Sequence, residues 1–239
     1  MNPTMPKVLV GCPTYDGMDY CLERYVKAVK NLSYPNYDVL LIDNSKDDKY
    51  AEKIKKLGLK VVHISRDLEP KKLIAKARNV LRQRAIEGNY DFLLSLEQDV
   101  IPPRTIIERM LRHGKKIVSG IYFKHFTIKL KIATKEIVKK QIRPILYLPI
   151  PNHEDKMHFC TAKDVEGDKL LQARMAGLGA IIIHKDVLNK IEFRVPEDLS
   201  TYDDACFADD VIKNNLHIYA DTSIKCKHLI LNKNDNTSK

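Results

Sequence analysis

The first half of the chain alternates short apolar runs with longer stretches in which apolar and polar residues are mixed. Short, continuously apolar runs that are separated by helical patterns predict parallel strands, covered by helices on both faces of the sheet. The five predicted strands are Lys7–Cys12, Tyr37–Asp43, Lys60–Ile64, Phe92–Leu96 and Lys116–Tyr122.

The stretches between these runs have the spacing of helices. Apolar residues recur on one helical face between Lys71 and Glu87, and Gly88 follows as a stop signal. Pro103 suits the first position of a helix, where the N–H that it lacks would have no partner. The four predicted helices are Asp19–Asn31, Asp47–Leu57, Lys71–Glu87 and Pro102–His113.

The second half of the chain is less regular. Residues 123–170 alternate weakly, and Arg143–Ile150 predicts a hairpin or ribbon. Further along, the pattern predicts a glycine-broken loop that leads into a buried strand, then two helices and two closing strands. These elements are Met175–His184, Lys185–Ile191, Asp204–Asn214, Leu216–Ala220 and Ser223–Cys226.

The chain has 239 residues, which suits one α/β domain. No repeat, low-complexity segment or linker-like composition divides it. We therefore predict a single domain over residues 1–239, with one half at 1–122, a second half at 123–231 and a frayed tail at 232–239.

Composition limits the cellular setting. No run of 18 apolar residues is present, and Met1–Pro6 lacks the apolar core of a signal peptide, so we expect a cytoplasmic protein. The five cysteines include no C-x-x-C pair, which predicts reduced, buried thiols rather than disulfides or a zinc site.

The net charge of +10 is unevenly distributed. Residues 124–140 hold six lysines against Glu136 alone, and residues 195–210 hold six acids and no Lys or Arg. The basic segment Lys124–Lys140 could meet a phosphate-bearing acceptor, an anionic membrane surface or nucleic acid, or it could be a solvated face.

Binding sites of parallel α/β sheets lie beyond the carboxyl ends of the strands. That rule directs attention to three polar loops, which are Cys12–Asp16, Asp43–Ser45 and Glu97–Asp99. Asp43 could accept hydrogen bonds from the base or ribose of a nucleotide. Tyr15 could stack on that base, and Arg78 could reach a base or a phosphate.

Two carboxylates follow the apolar strand at Phe92–Leu96. Strand side chains alternate, so Glu97 and Asp99 are expected to point the same way. They could hold a divalent cation and leave positions open for phosphate oxygens, or they could form an exposed polar turn. His228 follows the last predicted strand, and it could be a metal ligand or a core or surface residue.

Asp203 and Asp204 stand at the start of a predicted helix. Acids at this position stabilise a helix N-terminus, and this accounts for them without any catalytic role. The alternative is a general base that takes a proton from an acceptor hydroxyl.

Together and in this order, six segments resemble the family 2 and related glycosyltransferases of the GT-A fold. The resemblance covers roughly residues 7–122 and 172–229, and residues 123–171 match no family segment. The six segments are VLVGCPTYDG, LLIDNSKDD, AKARNV, FLLSLEQDVIPP, RMAGLGAIIIHKDVLNKI and YDDACFADDVIKNNLHIYADTSIKCKH. The resemblance implies a mostly parallel central sheet with helices on both faces and a small antiparallel ribbon on the acceptor side.

The resemblance also implies a function and its residues. It implies inverting transfer of a sugar from a UDP- or GDP-sugar to a hydroxyl acceptor (a glycan, lipid or protein), with the donor bound by the half at 1–122. Asp99 and His228 would ligate Mn²⁺ or Mg²⁺, and Asp204, or else Asp203, would be the base. The residues that would hold the donor are Pro13, Thr14, Tyr15, Asp43, Ser45, Arg78, Glu97 and Gln98.

Two positions depart from the family pattern, because Glu97 replaces the first acid of the D-x-D motif and Asp203 replaces the Glu of Glu-Asp.

Two function classes other than glycosyltransferase are compatible with parts of the sequence. A sugar-1-phosphate nucleotidyltransferase usually has a glycine-rich, arginine-bearing loop where this chain has CPTYDG. A nucleic-acid-binding module is favoured only by the charge, so no nucleic-acid partner is expected. Peripheral contact with the inner face of a membrane through Lys124–Lys140, and homodimer formation, are left open.

Overall fold

The computed structural model describes residues 5–132 and 135–229, and all of their side chains except those of 128–132, 135–139 and 153–155. The predicted tail at 232–239 lies outside the described residues.

The described residues form fifteen strands. In chain order they are β1 Val8–Thr14, β2 Tyr37–Asp43, β3 Lys60–His63, β4 Phe92–Leu96, β5 Val100–Ile101, β6 Ile117–Ile121, β7 Phe123–Ile132, β8 Lys135–Pro144, β9 Leu146–Ile150, β10 His153–Phe159, β11 Leu170–Ala173, β12 Met175–Ala176, β13 Ala180–His184, β14 Ile218–Lys225 and β15 Lys227–His228.

Six α-helices and two short 3₁₀ helices accompany the strands. The α-helices are α1 Leu22–Lys30, α2 Lys49–Lys56, α3 Pro70–Glu87, α4 Ile106–Leu111, α5 Lys185–Leu188 and α6 Asp203–Lys213, and the 3₁₀ helices are Asp16–Cys21 and Lys163–Val165.

Eight strands form the central sheet, in the order β11-β14-β6-β13-β4-β1-β2-β3. Strands β3, β2, β1 and β4 are mutually parallel, and β14 is parallel to β6. Strand β13 runs antiparallel between β4 and β6, and β11 is antiparallel to β14 at the edge. The predicted fold class, a mostly parallel sheet in an α/β chain, is confirmed.

Both faces of this sheet are buried, as the apolar runs predict. Leu9 and Leu93 belong to the core beneath α3, whereas their neighbours Val8 and Leu94 belong to the core on the opposite face. Side chains of neighbouring strand residues point to opposite faces, so a run that is apolar throughout contributes to both cores.

A smaller antiparallel region follows the first half. Strands β7 and β8 form a long hairpin, and β9 pairs with both β10 and β12. The predicted small antiparallel ribbon is thus confirmed, and it extends well beyond the stretch Arg143–Ile150. The single-domain prediction, with halves at 1–122 and 123–231, stays a prediction.

Three predicted elements were wrong in detail. The two predicted closing strands are one strand, β14. The polar residues between them do not interrupt it, because their hydrogen bonds are made within the protein: Asp221 accepts from the N–H and hydroxyl of Ser223. The predicted helix Pro102–His113 begins only at Ile106, since β5 holds the preceding chain extended. The predicted helix Asp19–Asn31 opens as a 3₁₀ turn at Asp16.

All five cysteines are free and buried. Within residues 5–132 and 135–229, no helix has both the length and the apolar character that a membrane crossing requires.

Replacing Leu81 with Ala should lower the free energy of unfolding by about 2–5 kcal/mol. Leu81 is fully buried on α3. The helix approaches β1 so closely there that a Cβ atom at Gly11 would lie 2.9 Å from a Leu81 methyl carbon. Urea denaturation measures the loss. The matched control, Leu68→Ala at a side chain that is 43% exposed, should change stability by less than about 0.5 kcal/mol. Equal losses would contradict this packing.

Candidate active site at the carboxyl edge of the sheet

The predicted site loops lie at one edge of the sheet. Thr14 and Asp43 end adjacent parallel strands and are direct partners in register. Strand β4 lies on the other side of β1, and Glu97, Gln98 and Asp99 follow it. The parallel order of β2, β1 and β4 therefore brings the three loops together.

Asp99 and His228 meet across 129 positions of sequence. His228 Nε2 lies 3.0 Å from Asp99 Oδ2. Strand β15 pairs antiparallel with β5, with His228 opposite Val100, and the N–H of Leu229 donates to the carbonyl of Asp99 at 2.7 Å. A two-residue ladder thus holds the imidazole against the carboxylate.

The other ring nitrogen determines what this pair can hold. His228 Nδ1 lies 2.7 Å from the carbonyl oxygen of Phe123, so Nδ1 carries the proton that is donated there. In a neutral ring, Nε2 then presents a lone pair to the Asp99 carboxylate, and two acceptors at this distance need a cation between them. Burial opposes protonation of the ring, but Asp99 outweighs it and raises the pKa of His228.

The same arrangement suits a divalent metal ion. A metal-binding histidine usually donates its second N–H to a carbonyl or carboxylate, which fixes the ring and directs the free nitrogen at the metal. Imidazole nitrogen and carboxylate oxygen are both ligands for Mn²⁺, and carboxylate oxygen for Mg²⁺. Asp99 and His228 therefore fit the predicted ion.

Arg78 joins two of the acids that the sequence singles out. Its side chain is 3% exposed and donates to Glu97 Oε1 and to Asp203 Oδ2, each at 2.6 Å. Burial raises the pKa of Glu97, although Arg78 opposes the shift. The guanidinium, predicted to bind the nucleotide, is occupied by this buried double ion pair.

Among the side chains that the structure describes, Asp204 has no such cationic partner at hydrogen-bond distance. It is the second residue of α6, and its Oδ1 accepts the N–H of Ala205. Burial and the neighbouring Asp203 raise the pKa of Asp204, with Arg78 and Lys124 opposing the shift. Of the two acids, Asp204 is thus the better proton acceptor once it is ionised.

Two cavities share a wall formed by Ile74, Arg78 and Glu97. The first, of 220 Å³, is also lined by Pro13, Thr14, Tyr15, Met18, Asn44, Gln98 and Asp99. The second, of 380 Å³, extends to Asp203 and Asp204 and is walled by Tyr122, Phe126 and Tyr147. A larger cleft of 560 Å³ lies between α3 and Phe193–Val195, but none of the predicted site residues lines it.

Four predicted donor-binding residues belong to two buried groups of hydrogen-bonded side chains. Asp43 is fully buried and accepts from the N–H and hydroxyl of Ser45, while its other oxygen lies 2.9 Å from His63 Nδ1. Gln98 is also fully buried, and bonds to Thr14, Tyr50 and the carbonyl of Met18. Tyr15, at 40% exposed, is the most accessible of the predicted set.

Three residues near the site were not predicted from the sequence. Asn44 lines the first cavity, and its place beside Asp43 at a strand end could have indicated it. Tyr122 follows β6, accepts the N–H of Gly179 and packs edge-on against the ring of His228. His63 became evident only through its contact with Asp43.

Comparisons with known proteins extend this description. No protein-family model matches the chain, and no curated protein matches its sequence. The mannosyltransferase PcManGT from Pyrobaculum calidifontis, solved with GDP-Man and Mn²⁺, is 12% identical over 97% of this chain and 59% of its own, with a TM-score of 0.60. S. aureus TarS 1-349, solved with UDP-GlcNAc, is 15% identical over 98% of this chain and 61% of its own, with a TM-score of 0.54.

A third structure, A197 from STIV, is 20% identical over 94% of this chain and 86% of its own, with a TM-score of 0.50. The chain thus spans about three fifths of the two longer neighbours. At these identities the likeness concerns the fold, and it confirms the predicted GT-A type of α/β architecture.

Arg78→Gln should lower the free energy of unfolding by about 3–5 kcal/mol, because Asp203 would stay buried without a counter-charge. Chemical denaturation measures the loss. Arg66→Gln is the control, since Arg66 lies 3.9 Å from an exposed Asp16 and surface pairs contribute about 0–1 kcal/mol. A loss at Arg78 no larger than at Arg66 would contradict the role of the double ion pair.

Proposed function

We propose that this protein transfers a sugar from a nucleoside-diphosphate sugar to a hydroxyl group of an acceptor, with the help of a divalent metal ion. The observation that carries the proposal is the contact between Asp99 and His228, whose free ring nitrogen faces a carboxylate at 3.0 Å beside the first cavity.

The first cavity is proposed as the donor site. Tyr15 offers an exposed ring for a nucleotide base, and Asp99 lines the same cavity. PcManGT was solved with GDP-Man and Mn²⁺ and TarS with UDP-GlcNAc, so a GDP- or UDP-sugar is the proposed donor class. Asp43 and Ser45 would stabilise the loop Asp43–Ser45 rather than contact the donor, since they are already hydrogen-bonded to each other.

Asp99 and His228 would hold Mn²⁺ or Mg²⁺ through one carboxylate oxygen and one ring nitrogen. Such an ion, when bound, neutralises the charge that develops on a diphosphate leaving group. The chain's own part is to fix both ligands: β5 and β15 position the backbone, and the carbonyl of Phe123 fixes the ring.

The second cavity is proposed as the acceptor site, with Asp204 as the general base. Asp203 is neutralised by Arg78, whereas Asp204 borders the cavity and has no ion-pair partner within the described part of the chain. In the proposed step, the acceptor hydroxyl gives its proton to Asp204, and the hydroxyl oxygen forms a bond to the anomeric carbon as the bond to the diphosphate breaks. Attack from the side opposite the leaving group would invert the anomeric centre.

A nucleoside-diphosphate sugar at a hundredfold excess over its Kd, with Mn²⁺ present, should raise the melting temperature by about 5–10 °C. A panel of UDP- and GDP-sugars, each with and without Mn²⁺, identifies the donor in a thermal-shift assay. The Mn²⁺-dependent part of the shift should be lost in Asp99→Ala and in His228→Ala. His217→Ala, at an exposed histidine away from both cavities, should retain it.

Two outcomes would count against this proposal. One is a shift that is the same with and without Mn²⁺ in all four proteins. The other is release of pyrophosphate from a nucleoside triphosphate and a sugar 1-phosphate, which would favour a nucleotidyltransferase instead.

Asp204→Asn should lower the rate of sugar transfer by about 10²–10⁴-fold and leave donor binding unchanged, because only the proton acceptor is removed. Release of nucleoside diphosphate in the presence of acceptor glycans measures the rate. Asp209→Asn, further along the same helix and more than half exposed, is the matched control. Near-normal turnover in Asp204→Asn would overturn the assignment of the base.

The raised pKa of Asp204 adds a pH test of the same assignment. A general base must be ionised, so raising its pKa moves the loss of activity on acidification to higher pH. The acidic limb of kcat/KM in the wild-type protein should therefore lie above the ordinary titration range of aspartate.

Several finer expectations remain predictions. Lys124 and Lys140 are exposed at the two ends of the basic segment, which is compatible with contact with an anionic surface. The side chains of Lys129, Lys131, Lys135 and Lys139 lie outside the described residues. The cytoplasmic location and the homodimer likewise rest on the sequence alone.

A further inference from the structure

Three side chains with metal-binding atoms converge where β10 ends, away from Asp99 and His228. A ring nitrogen of His158, the Sγ of Cys160 and a carboxylate oxygen of Asp164 all lie within 4.8 Å of one another. Among the residues whose side chains the structure describes, no other group of three or more His, Cys, Asp or Glu side chains is close enough to share an ion.

Local geometry explains why these three meet. His158 and Cys160 are two positions apart at the end of a strand, so their side chains point the same way. The 3₁₀ turn Lys163–Val165 then brings Asp164 back toward them. Asp164 Oδ2 accepts the N–H and the hydroxyl of Thr161, at 2.7 and 2.8 Å, which fixes the carboxylate and leaves Oδ1 available.

The thiol is the least expected member of the group. Cys160 is fully buried. Buried cysteines commonly pack as small hydrophobic residues. The other four do so here, but none of them is drawn into a group with an imidazole and a carboxylate. A carboxylate beside a thiol is unfavourable for a thiolate unless a cation lies between them.

We propose that His158, Cys160 and Asp164 bind a zinc ion, with water as the fourth ligand. Around tetrahedral zinc, ligand atoms lie about 3.3–3.5 Å apart, so three atoms within 4.8 Å of one another need to approach by at most about 1.5 Å. His158 is exposed at the surface and can supply that adjustment by rotation of its side chain. The absence of a C-x-x-C pair does not exclude a site of this mixed composition.

The chemical type of the metal ligands distinguishes this site from the one at Asp99 and His228. Thiolate and imidazole favour zinc, whereas sites rich in carboxylate and phosphate oxygens suit Mg²⁺ or Mn²⁺. The proposed zinc site therefore stands independently of the proposed sugar transfer.

The position of the group suggests what the ion would stabilise. Phe159, between the two strand ligands, stacks on Tyr147 with ring centroids 4.6 Å apart. Tyr147 is a wall of the second cavity, and the N–H of Cys160 donates to the carbonyl of Leu146. An ion at this point would fasten the end of β10 to that wall.

Titration of the reduced, metal-free protein with Co²⁺ tests the proposal. One equivalent should produce a thiolate-to-cobalt charge-transfer band, and Zn²⁺ should abolish the band by displacement and raise the melting temperature. Cys160→Ser should remove the band. Cys206→Ser is the matched control at another buried cysteine and should retain it.

Two further variants keep the test decisive. His158→Ala changes an exposed residue and should fold, and it should weaken Co²⁺ binding by roughly tenfold or more. Asp99→Ala should keep the band, because that site has no sulfur ligand. Absence of the band in the wild-type protein, or its survival in Cys160→Ser, would overturn the zinc site whatever the outcome for sugar transfer. An ion pair of His158 with Asp164 alone would give no band.

Discussion

The buried guanidinium of Arg78 is the interaction on which the candidate site depends. It lies on α3 between Glu97, at the end of β4, and Asp203, at the start of α6. Removing the charges of Arg78 and Asp203 from water is unfavourable, and their mutual attraction, good hydrogen-bond geometry and the partly exposed Glu97 offset it. The two halves of the sequence are thereby fastened together where the two cavities meet, and Asp204 has no ion-pair partner of its own among the described side chains.

The same principle organises the other acids near the sheet edge. Asp43 lies within hydrogen-bond distance of His63, and Asp99 lies within hydrogen-bond distance of His228. Each close pair sets one carboxylate against one base, so several acids can occupy a small volume without repelling one another strongly. The pair of Asp99 and His228 differs from the others because the ring proton is already committed to the carbonyl of Phe123, and this makes it the pair best suited to a metal ion.

The antiparallel region gives the site its individual character. Strands β7 and β9 supply Phe126 and Tyr147 to the second cavity, from a part of the chain that resembles no family segment. Structural neighbours at 12–20% identity align with 94–97% of this chain. In the proposed function, side chains of the ribbon would select the acceptor, and the proposed zinc ion would reinforce the packing near Phe159.

The sequence by itself determined the sheet and the loops that carry the site. Tyr37–Asp43 and Phe92–Leu96 were predicted with the bounds that the structure has, because a buried parallel strand leaves a continuous apolar run. Tertiary structure alone decided the partners: that Arg78 lies between two acids, that Asp43 is closed off by His63, and that His158 and Cys160 meet Asp164. These contacts depend on which side chains become neighbours and lose water together, and no local pattern along the chain encodes that.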